Sequence, residues 1–98
     1  VTPRLEVVDL GAAAEIAGIV AEYAGEDDAI RVSARAAGRI RVALGEAAAQ
    51  HFIACAVAHE RHHRAHPHAA ESAAHAAAET AASVDPRIFE AVLREPRA

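Results

Sequence analysis

From Glu46 to Ser83 the chain is dominated by alanine and broken by one proline, Pro67, and no other feature limits its folding as much. A proline inside a helix loses a backbone hydrogen bond and clashes with the preceding turn, at a cost of about 3 kcal/mol. The run is therefore expected to form two helices that meet near Pro67-His68, the first starting at Glu46 and the second running to about Ser83. Alanine favours helix but buries little area. Of the 98 residues, 53% are hydrophobic but only 3% aromatic, so the core must rest on scattered large side chains such as Phe52, Ile53 and Val57.

Upstream, Leu5 to Leu10 reads as a short strand. Gly11 then opens an alanine-rich helix that places Ile16, Ile19, Val20 and Tyr23 on one face and stops at Gly25. Glu26-Asp27-Asp28 is a turn. Beyond it Ile30 and Val32 alternate with Arg31 and Ser33, and Ile40, Val42 and Leu44 alternate with Arg39 and Arg41 between Gly38 and Gly45. That period of two predicts a hairpin of two strands. Downstream, Asp85-Pro86 suits the N-cap and first position of a last helix with Ile88, Phe89, Val92 and Leu93 buried, and residues 95–98 form a frayed end. The expected order is strand, helix, two strands, long helix, helix, helix: one small α+β domain over residues 1–98.

The formal net charge is −4 and all ten basic residues are arginine, spread singly, which argues against a nucleic-acid surface. Cys55 is the only cysteine and reads as a small core residue. No charged-then-apolar leader and no run of about eighteen apolar residues is present, so the expectation is a cytoplasmic chain with no membrane segment. A core this thin makes pairing with a second copy, or with a regulatory partner, an expected supplement.

The chemistry concentrates in His59-Glu60-Arg61-His62-His63. Residues four apart on a helix share a face at about 6 Å, so His59 and His63 are able to direct ring nitrogens at one metal ion. Glu60, about 100° around from His59, reaches water beside that ion without ligating it, where a general base belongs. Zinc completes the set by activating water and polarising a carbonyl. A third protein ligand is still required. A metzincin pattern would place histidine at position 69, which is alanine. Glu71, just past the turn at Pro67, is the first candidate, and His75, Glu79 and His66 remain alternatives.

Ala56-Val57-Ala58-His59-Glu60-Arg61-His62-His63, the later Glu71-Ser72-Ala73-Ala74-His75-Ala76-Ala77-Ala78-Glu79, and then Asp85-Pro86 together resemble the ImmA/IrrE-type metallopeptidases. These are gluzincin-like members of the zincin group, with an apolar-A-H-E-x-x-H helix, an E-x-x-A-x-x-x-A-E helix and a proline before another helix. The resemblance spans roughly residues 38–93 and implies a zincin-like fold. It also implies zinc held by His59, His63 and Glu71, Glu60 as base, and a peptide or protein substrate. The stretch from Val57 to Pro67 is also similar to BlaR-type and HtpX-like peptidases. In this chain His62 stands where the family usually has glycine, and His75 where it has an asparagine-like residue.

Other residues carry weaker readings. Tyr23 is expected at the core edge of the first helix, with an oxyanion donor as its functional alternative. His62 reads as solvated surface. Arg39 and Arg41, on the outward face of the second hairpin strand, are placed to meet an extended peptide or simply to solubilise. The competing function is a non-catalytic, histidine-rich module holding Zn²⁺, Ni²⁺ or Cu²⁺. A third is a helical interaction domain with no metal.

Overall fold

The computed structural model describes residues 2–82 and 84–94. Ser83 and residues 95–98, where the end of the second alanine-rich helix and the frayed tail were expected, lie outside the described residues. Among those described, three strands and five helices form an α+β fold in the order β1 (Arg4–Val8), α1 (Ala12–Ala17), β2 (Ala21–Ala24), β3 (Ala29–Ser33), α2 (Ala34–Leu44), α3 (Glu46–Ala65), α4 (Glu71–Ala82) and α5 (Arg87–Arg94). The sheet order is β1-β3-β2, with β1 parallel and β2 antiparallel to β3. No helix among the described residues is long and apolar enough to cross a membrane.

Two expected elements are corrected. The first helix stops at Ala17, because Gly18 takes a left-handed conformation (φ 74°, ψ 21°). The amide of Ile19 then donates back to the Ala14 carbonyl at 2.9 Å, a Schellman-type ending open to glycine without strain. Tyr23 therefore lies on β2, not on the first helix, and pairs in register with Ile30.

The expected strand at Ile40 to Leu44 is instead the last part of α2. Ser33 caps it, its Oγ accepting from the Ala36 amide at 3.1 Å. The buried residues Ala36, Ala37 and Ile40 follow a helical spacing. Val42 is 89% exposed and Leu44 47%, so of the alternating residues that suggested a strand only Ile40 is buried. Gly38 sits inside this helix and Gly45 joins it to α3. Arg39, no longer on a strand, donates to the carbonyls of Leu93 and Val92 at 3.0 and 3.1 Å and so caps α5. Arg41 pairs with Glu46 across the junction between α2 and α3.

Ile30, Val32, Ile40, Phe52 and Phe89 form the centre of the core with small residues between them, and Phe52 meets Phe89 edge to face at 5.6 Å. Several expected core residues stay exposed: Leu5, Val7, Val8, Ile16, Ile19, Leu44 and Ile88. Leu5 and Val7 lie beside Ile30 and Val32 in register, but they belong to the sheet edge, and the helices cover its middle. Ile88 faces away while Phe89 fills the core.

The proline break falls where expected. α3 ends at Ala65 and a five-residue connection, 66–70, leads into α4. α4 returns along α3 with Ala74 and Ala78 buried against it, and the Cys55 thiol faces the Ala78 carbonyl at 3.9 Å. Alanine on this seam lets the two backbones come close, which sets where α4 begins relative to the histidines. Asp85 caps α5, accepting from the Arg87 amide at 3.0 Å.

Candidate metal centre

α3 is uninterrupted through its second half, so His59 and His63 sit one turn apart on one face. Their Nε2 atoms are 3.2 Å apart. Glu71, the first residue of α4, closes the group: its Oε2 lies 3.1 Å from His59 Nε2 and its Oε1 2.8 Å from His63 Nε2. The connection 66–70, short as it is, suffices to bring this carboxylate back. His75, one turn along α4, places its ring 5.0 Å from that of His59, and donor atoms of His59, Glu71 and His75 lie within 4.8 Å of one another.

Two donors about 2.05 Å from one zinc ion at the tetrahedral angle stand roughly 3.3 Å apart. The pairs among His59, His63 and Glu71 meet that spacing, whereas the wider group containing His75 is looser. The other candidates are not brought in. Glu79 is exposed and does not line the cleft described below. His66 instead stacks near His62, with ring centroids 4.8 Å apart.

Among the described residues Glu60 is the buried acid, 9% exposed, and its Oε2 has no hydrogen-bond partner among them. Burial pushes its carboxyl above the usual range, Glu71 and Glu22 push the same way, and His63 opposes them. Burial likewise holds the His59 imidazole below its ordinary value, against the pull of Glu71. An orphaned buried carboxylate is costly unless something compensates it.

His59, Glu60, Glu71 and His75, but not His63, line a cleft of about 320 Å³, whose walls include Val20, Ala21, Phe52, Cys55, Ala56, Ala78, Pro86, Phe89 and Leu93. Its charged lining is Glu60, Glu71 and Glu90, and no arginine is among the described residues that line it. The imidazoles of His59 and His75 with the carboxylates of Glu60 and Glu71 in an apolar wall, joined by His63 through Glu71, are a donor set that fits a divalent cation. Burial also raises the pKa of the Cys55 thiol, which suits a packing role.

A cluster missed in the sequence fixes the helix that carries the site. Tyr23 Oη donates to Asp28 Oδ1 at 2.6 Å, and Arg64 donates to both Asp28 oxygens at 2.8 and 3.1 Å. This ties the last turn of α3 to β2 and to the turn before β3. The signal was present in Asp28, read only as part of an acidic turn, whose φ of 47° is unusual for a non-glycine residue. Tyr23, with its hydroxyl so engaged, is a positioning residue rather than an oxyanion donor.

The hydrogen bonds from Arg64 and then Tyr23 hold the Asp28 carboxyl below its usual pKa. Its contribution is therefore present above the unfolded value of about 4 and lost as pH falls through the folded one. Asp28→Asn, which tolerates the same backbone, is expected to melt lower than the parent near pH 7. The gap should close near pH 2, as read by thermal melts at both pH values. An equal gap at both would remove the ionised aspartate from the tie.

Comparison with protein-family models, with curated proteins and with solved structures finds no match, so function is argued from the geometry.

Proposed function

We propose that this chain is a zinc-dependent peptidase of the zincin type, with His59, His63 and Glu71 as metal ligands and Glu60 as general base. The observation that carries the reading is the convergence of two imidazole nitrogens and a carboxylate at 2.8 to 3.2 Å, beside a buried carboxylate oxygen without a partner. The α+β class, with a small sheet beside the histidine-bearing helix, supports the reading at that coarse level.

Zinc in such a site supplies Lewis acidity, polarising a carbonyl and making water nucleophilic near neutral pH. Glu60 takes the proton that water gives up and delivers it to the departing amine. Its raised pKa suits a group that must both accept and release a proton. The substrate is an extended peptide: β2 is an edge strand of the sheet among the described residues, the kind of element an extended backbone pairs with, and Ala21 on that strand lines the cleft. Phe52, Phe89 and Leu93 offer an apolar wall to a substrate side chain.

The position of His75 favours a second reading, in which it joins the other three as a fourth ligand and the closed site is structural or regulatory. His75→Ala separates the two, since zinc and cleavage survive it only when the inner three residues suffice. The primary test is zinc stoichiometry on untagged protein together with cleavage of an unstructured peptide, before and after chelation. One zinc per chain and chelator-sensitive cleavage are expected. Absence of zinc binding, or cleavage that ignores the chelator, would overturn the reading.

A further inference from the structure

We propose that His62 and His66 form a second metal site, separate from the first: a two-imidazole chelate for a divalent transition ion, Cu²⁺ foremost. Their ring centroids are 4.8 Å apart, inclined at 44°. The same 4.8 Å separates the rings of His59 and His63, the pair whose Nε2 atoms already stand within ligand spacing. His62 lies in the last turn of α3 and His66 is its C-cap, outside the helix at φ −133° and ψ 77°. The ring spacing is what brings the pair together, and a small rotation about the side-chain bonds sets the nitrogens on one ion.

The two pairs serve different faces. His62 and His66 line an open groove of about 660 Å³ with Leu5, Ile53, Val57 and Arg61, and none of His59, His63, Glu71 or His75 lines it. The pair is also held. His62 is half-buried, the His66 amide donates to the His62 carbonyl at 2.8 Å, and Pro67 follows directly. His66 itself is exposed, but two ligands four residues apart at one helix end bind in succession, the second without a new diffusional encounter, which raises affinity by on the order of 10²- to 10⁴-fold over one imidazole.

No carboxylate is among the described residues lining the groove, and Gln50, which does line it, lies about three turns of α3 before His62, so the donors at the pair itself are imidazole nitrogens. That excludes calcium and magnesium, which require oxygen ligands. Among imidazole-seeking ions the order of affinity rises through Ni²⁺ to Cu²⁺ and falls again at Zn²⁺. Water fills the remaining positions, and the site is a binding site open to solvent rather than an enclosed one.

The test uses Cu²⁺ titration followed by calorimetry and by electron paramagnetic resonance, in a background where the first centre is disabled. His59→Ala/His63→Ala is expected to keep one Cu²⁺ with coupling to two nitrogens. Adding His62→Ala or His66→Gln should weaken that site by about a hundredfold or more and remove one nitrogen from the spectrum. Far-ultraviolet circular dichroism checks that α3 remains helical in each variant. His51→Ala and His68→Ala in the same background should change nothing. The proposal is overturned if the double variant binds no Cu²⁺, or if its binding survives both added substitutions. Failure of the peptidase reading shows elsewhere, as a zinc affinity that His59→Ala/His63→Ala leaves unaltered.

Discussion

Glu60→Gln is expected to reduce peptide cleavage by about 10²- to 10⁴-fold, the span of general acid–base catalysis, while one zinc stays bound per chain. Glutamine keeps the size of the side chain but has no carboxylate to receive a proton. The position is 9% exposed, so bulk water cannot readily stand in for the missing base. Because the proposed role lies in the proton transfers, the loss should fall on kcat, with KM nearly constant. Steady-state kinetics on a quenched-fluorescence peptide, with metal content measured on the same sample, checks both halves. Parent-like turnover would take Glu60 out of the reaction, and loss of zinc in this variant would make it a ligand.

The second large effect belongs to Glu71, the proposed ligand on the far side of the proline turn. Zinc binding at structural sites is worth about 10–16 kcal/mol, so one ligand among three or four accounts for roughly 3 kcal/mol. Glu71→Ala is accordingly expected to weaken zinc by on the order of a hundredfold to a thousandfold. Glu71 is 71% exposed in its side chain and alanine is a good helix former, so the fold should survive. Competition with a chromophoric chelator measures the affinity. Near-parent affinity in Glu71→Ala, with a large loss in His75→Ala, would transfer the third position to His75.

The strongest sequence signals concerned the downstream half of the chain. Spacing placed His59 and His63 on one helical face, and Pro67 placed the break that lets Glu71 return to them, because both depend on short-range backbone geometry. Upstream the reading misjudged which period mattered. Ile40, Val42 and Leu44 alternate, but Ser33 starts a helix whose buried face is made largely of alanine, a residue that pattern reading discounts. Gly18 ended the first helix seven residues before Gly25, and the apolar residues beyond it passed into β2. The Tyr23–Asp28–Arg64 tie joins residues up to 41 positions apart. No local pattern announces such a contact, which depends on how the sheet meets α3.

The seam where Ala74 and Ala78 lie against α3 has a consequence for how the site tolerates change. Methyl side chains have no rotamers to freeze, so docking α4 there spends backbone entropy alone. The same economy of volume leaves no slack: valine or leucine at either position would lever the helix outward by its added bulk. Glu71, at the head of that helix, would move with it, and the histidines would lose their carboxylate although neither histidine nor Glu71 had been changed.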